Sequence, residues 1–172
     1  MTLTPLILGV ILFVSPFTVS AQTAQAPTSP TAAYDKAIVT TWKNLHNKIL
    51  DMAKDAEYPE AKLGWKPHPD SRTLEQEFRH ATIGLEMTTA MAKGEKFDYA
   101  GRDKADESKP HTRASVVAEL QAAMNASFAY LDANGPKPLY IGWLDHQGEH
   151  YGKMVDAYRV NGIVPPVSRP KK

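Results

Sequence analysis

His146 and His150 stand four residues apart in the stretch Trp143 to Val155. On an α-helix that spacing stacks both imidazoles on one face, one turn apart, within reach of a single ion. Neutral imidazole nitrogens are common transition-metal ligands. Leu144, Met154, Val155 and Tyr158 surround the pair, so its face is expected to look into protein. Asp145 and Glu149 turn about 100° away from the histidines, which predicts solvated or salt-bridged side chains rather than ligands.

Two ligands do not complete a site. His80 is the third candidate, midway along another amphipathic segment, with Glu77 placed one turn earlier to orient an imidazole or accept its second N–H. Three imidazoles from two helices leave a coordination position open, the mark of a reactive metal. Such an ion acidifies bound water or polarises a bound carbonyl or thiol. Zn, Ni, Fe and Mn all suit the donor set. His46 is a reserve candidate read as a boundary histidine, His111 a weaker one at a helix start, and His68, between two prolines, a solvated side chain.

These residues need elements to position them. Ile38, Trp42, Leu45, Ile49 and Met52 recur at spacings of three and four and predict a first helix from about Ala33 to Lys54. Prolines and glycines exclude regular structure from Asp55 to Asp70, with Trp65 folding back onto the bundle end. Ser71 or Thr73 then caps a second helix, Gln76 completing a capping box with Thr73. Leu74, Phe78, Ala81, Leu85 and Met91 form its buried side. Lys93 to Lys109 reads as a solvated loop anchored by Phe97 and Tyr99. Val116, Val117, Leu120, Met124, Phe128 and Leu131 trace a third helix that ends at Asn134-Gly135-Pro136. The fourth carries His146 and His150 and closes at Asn161-Gly162, and Ile163 to Pro166 is expected to lie extended on the bundle. Gly148 and Gly152, four apart inside that helix, mark a close approach by another helix or a ligand. No β-pattern or repeat occurs, so the elements imply an all-α four-helix bundle with its site in the core.

At 172 residues the chain suits one domain with appendages. Lys and Arg number 20 against 19 Asp and Glu, with no basic block, so nucleic-acid binding has no electrostatic footprint. With no cysteine, thiolate ligands, disulfides and a cysteine nucleophile are excluded. Leu6 to Val14 is a short apolar run, followed by Pro16 and a small residue at Ala21. This predicts a signal peptide over 1–21, cleaved on export to the periplasm or the medium. The run is broken by prolines and barely of bilayer length, so no stable membrane span is expected once it is removed. Residues 22–32 read as a flexible linker, 33–166 as the bundle and 167–172 as a basic tail.

The segment Asp145-His146-Gln147-Gly148-Glu149-His150-Tyr151-Gly152, followed by Tyr158 to Pro166, resembles the closing signature of the DinB/YfiT-like superfamily. Tyr58-Pro59-Glu60, Trp65-Lys66-Pro67 and Ser71-Arg72, leading to His80, resemble its front half. The resemblance covers about Tyr34 to Pro166. It implies an up-down-down-up bundle, often a homodimer, with a divalent metal on His80, His146 and His150. Members with assigned activities include metal-dependent transferases and isomerases that use thiols such as bacillithiol or mycothiol, which act mainly inside the cell. The expected function is therefore an exported, metal-dependent transferase or hydrolase acting on a small molecule, with Glu77, Tyr151 and Arg159 as candidate contacts. The alternative is a non-enzymatic metal- or ligand-binding bundle in a stress response.

Overall fold

The computed structural model describes residues 30–107, 109 and 111–170. The expected signal peptide, and the linker as far as residue 29, lie outside them. Among the described residues there are five α-helices and no strand: α1 (Pro30–Lys54), α2 (Leu74–Lys93), α3 (Tyr99–Glu107), α4 (Arg113–Asn134) and α5 (Leu139–Val160). No described helix is long and apolar enough to cross a membrane. The first helix begins three residues earlier than its apolar stripe suggests, on a proline, which costs little where the N–H has no intrahelical partner.

The four long helices form the bundle, and side-chain pairs give their directions. Along α1 and α4, Lys43 meets Asp132 and Lys54 meets Gln121, so the two run antiparallel. Trp42 stacks edge-on against Tyr140, and Tyr158 donates to the Met52 carbonyl, so α1 and α5 run parallel. Glu77 meets His150 while His80 meets His146, which makes α2 and α5 antiparallel. Up-down-down-up follows, as the resemblance implies, with α1 and α2 on opposite corners.

The core is aromatic and aliphatic: Trp42, Tyr58, Phe78, Leu120, Tyr140 and Tyr158 are completely or almost completely buried. Buried polar ring ends call for partners: the Trp42 indole donates to Ser127 Oγ at 3.0 Å and the Tyr58 and Tyr158 hydroxyls to the Lys62 and Met52 carbonyls, while the Tyr140 hydroxyl has none among the described residues. Capping boxes open two helices, Thr73 with Gln76 on α2 and Thr112 with Ser115 on α4, each satisfying otherwise unpartnered backbone donors. Gly94, Gly135 and Gly162 take positive φ just past helix ends, where a Cβ would be strained. Trp65 packs back against the core, as expected.

Three expectations change. The segment read as a solvated loop contains α3, which has no apolar stripe. Its one buried residue is Asp106, held by Arg79 from α2 and, at 3.1 Å, by Arg102. Arg102 also reaches Glu86 and Glu119, so charge rather than apolar burial fixes α3 to the bundle. Met91 lies on the surface, 46 % exposed. After Pro166 the expected basic tail stays on the bundle as far as Arg169, whose guanidinium forks onto Asp55 at 2.9 and 2.5 Å.

Candidate metal centre

On α2, which Thr73 caps, His80 faces His146 and His150 of α5, with ring centroids 5.5 and 4.3 Å away. His80, His146 and His150 each offer one ring nitrogen, and the three lie within 4.8 Å of one another. Nε2 of His80 and Nε2 of His146 are 3.3 Å apart. Two imidazole nitrogens bound at about 2.0–2.1 Å to one tetrahedral ion stand about 3.3 Å apart, so the spacing fits a shared ion.

The remaining ring nitrogens are used to orient the set. Nδ1 of His150 lies 2.6 Å from Glu77 Oε2, a pair buried between α2 and α5. A carboxylate there requires Nδ1 to carry the proton and leaves Nε2 as a lone pair for a ligand. The Tyr99 phenol oxygen lies 3.2 Å from Nδ1 of His80 and can accept a hydrogen bond from Nδ1–H, leaving Nε2 as a lone pair in the same way. Lone pairs on facing nitrogens repel, and a cation between them relieves the repulsion. The donor set therefore fits a borderline divalent metal with a position left open.

The electrostatics agree. Burial, with the positive charges of Arg72 and of the other two histidines, pushes His80 down to about 4 from an ordinary 6.5. Burial also lowers His146, with His150 and Lys153 adding to the effect. At His80 and His146 neutral imidazole, the ligating form, is thus favoured near pH 7. Burial alone would raise the Glu77 carboxyl, but the hydrogen bond and charge of His150, with Arg72 and Lys153, hold it below the ordinary range.

The structure brings His80, His146 and His150 together and disperses the other candidates. Glu77 serves His150 across the helix interface, at 2.6 Å, and not His80 on its own helix. His46 is no boundary residue: it is fully buried, with Nδ1 on the Trp42 carbonyl at 2.8 Å and Nε2 unpartnered. His111 lies just before α4, 3.3 Å from Glu75, and His68 is largely solvated. Asp145 and Glu149 are exposed, as expected, and Arg159 is exposed on the last turn of α5. Tyr151 lies half-buried against the core, the Lys48 ammonium 5.8 Å from its ring centroid.

The close approach expected at Gly148 and Gly152 lies elsewhere, since a Cβ at either would meet nothing. It occurs at Gly84 on α2, where a Cβ would collide with the side chain of the fully buried Gln147. Gln147 donates to the Ala81 carbonyl at 3.3 Å and packs the two histidine-bearing helices together. Sequence reasoning also missed Tyr99 beside His80, whose helix carries no apolar signal.

A family model described as the DinB superfamily matches residues 37–154, a span that includes all three histidines. No curated protein matches the chain.

Proposed function

The chain belongs to the DinB superfamily, and from that premise we propose that it is an exported protein holding one divalent transition metal on His80, His146 and His150 for a transferase or hydrolase reaction. The observation that carries the reading is the convergence of three imidazole nitrogens from two helices, two of them 3.3 Å apart. A bound ion would supply Lewis acidity, acidifying a water or thiol and polarising a carbonyl or phosphoryl oxygen. Glu77 and Tyr99 set the tautomers of His150 and His80 and hold the rings in place, while the buried side of α5 excludes water from behind the set. Zinc, nickel, iron and manganese all suit three imidazoles. Export rests on the apolar run Leu6 to Val14 and on Ala21, and sequencing the N-terminus of the exported chain, expected at Gln22, tests it.

A second reading rests on a specific observation: Glu77, the buried carboxylate beside the histidines, is already committed to His150. With no general base to spare there, the bundle would bind metal or ligand without turnover. Elemental analysis of the chain purified without an affinity tag, beside His80→Ala and His150→Ala, tests the common core of both readings. About one equivalent of metal, lost in both variants, supports it. No metal in the wild type, and none taken up on reconstitution, overturns it. A screen of thiol-transfer and hydrolytic substrates on the metal-loaded chain then separates enzyme from binder.

A further inference from the structure

Beside the histidines two cations have no direct hydrogen bond or ion pair among the described residues. The arginines that pack into the bundle are otherwise engaged: Arg79 and Arg102 with Asp106, Arg113 with the carbonyls of Ala53 and Tyr58, Arg169 with Asp55. The side chains of Arg72 and Lys153 make no hydrogen bond or ion pair to another described residue. They come from different elements, the turn before α2 and the middle of α5, yet both line one cavity of about 540 Å³. That volume falls in the range of small-molecule sites. Trp65, Pro67 and Leu74 give the same cavity an apolar wall.

Arg72 also lines the adjoining cavity that contains His80, so it stands on the boundary between the two. The charge of Arg72 acts on His80, His146 and Glu77, and that of Lys153 on His146 and Glu77, which places both within electrostatic range of the histidines. Of the carboxylates lining the larger cavity, Glu77 is spent on His150, and Asp70 has a side chain 93 % exposed to screening water. A divalent ion would raise the positive potential further.

We propose that this cavity binds a small organic anion, a carboxylate or phosphate ester with an apolar body of about one ring. Arg72 and Lys153 hold the charged group, the guanidinium as a two-pronged donor and the ammonium as a point charge. Trp65, Pro67 and Leu74 cover the apolar body. As the substrate class of the reaction proposed above, this anion rests on that reading; as a ligand of the cavity, it needs only these side chains.

Calorimetric titration of the full chain, with and without one equivalent of zinc, against benzoate, phenyl phosphate and neutral benzyl alcohol tests the proposal. One or both anions are expected to bind at a single site, and benzyl alcohol is not. Which anion binds separates a carboxylate from a phosphate. In an Arg72→Gln, Lys153→Gln double variant, both positions being exposed, binding is expected to weaken at least about tenfold with zinc content and helicity unchanged. Neither anion binding, benzyl alcohol binding as tightly, or a double variant that binds like the wild type would overturn it. If the chain takes up no zinc while anion binding is lost in the double variant, the metal reading falls and the anion site stands. If it takes up zinc while anion binding is indifferent to the double substitution, the anion site falls and the metal reading stands.

Discussion

Glu77 Oε2 lies 2.6 Å from Nδ1 of His150, so the carboxylate of one histidine-bearing helix orients an imidazole of the other. Glu77→Gln keeps the shape and removes the charge that fixes the tautomer. It should weaken metal binding about 10–100-fold with little change in helicity. Competition against a chelator of known affinity measures this, and an unchanged constant would show that the carboxylate does not tune the site.

Asp106 is 1 % exposed and engaged by both Arg79 and Arg102. Removing one member of a buried charge cluster leaves the others desolvated without compensation, at a cost of about 3–5 kcal/mol. Asp106→Asn should therefore lower the denaturation midpoint strongly and release α3, and with it the Tyr99 contact to His80. Urea titration reads the first effect. Amide exchange that speeds up most at residues 99–107 reads the second.

Gly84 is where α2 comes closest to Gln147 on α5. A methyl group there must displace a fully buried side chain or separate the helices, an overpacking cost of about 1–3 kcal/mol. Gly84→Ala should thus destabilise the fold and loosen the metal site together. Adding Gln147→Ala makes room and should recover most of the stability. A double variant no better than the single one would place the strain elsewhere.

His46 gives the stability a pH dependence with a definite sign. Burial lowers it from 6.5 to about 4, against a weaker raising effect from the Trp42 carbonyl. Between those values the unfolded chain takes up a proton that the folded chain refuses. Stability from this group is complete above about pH 6.5, falls as pH drops toward 4, and levels off below. The full contribution is about 3 kcal/mol. His46→Gln should flatten that part of the slope, measured as the difference between urea titrations at pH 7 and pH 4.5. An identical difference in both proteins would contradict the assignment.

The long helices were legible because their apolar residues recur at the helical period, and their ends because Thr73 and Asn161-Gly162 carry local capping chemistry. The histidine pair was legible for the same reason, since i,i+4 spacing needs nothing beyond one helix. What crosses between helices was not. Glu77 lies three residues from His80 in sequence but serves a histidine 73 residues away, and nothing local encodes that distance. Helix α3 escaped because its one buried residue is a carboxylate, which a search for apolar periodicity discards. Gly148 and Gly152 misled because a glycine pair signals permitted approach, and the approach was made at Gly84.

The three histidines are divided between α2 and α5, with His80 66 residues before His146. An ion bound there would tie together two segments that part company when the chain unfolds, and unfolding would also undo the helical spacing that pairs His146 with His150. If the site binds an ion as proposed, metal supply would act on the lifetime of the protein by mass action on the folded state. A loaded molecule should outlast an empty one in the presence of proteases, so the amount of protein that persists becomes a record of how much metal surrounded it.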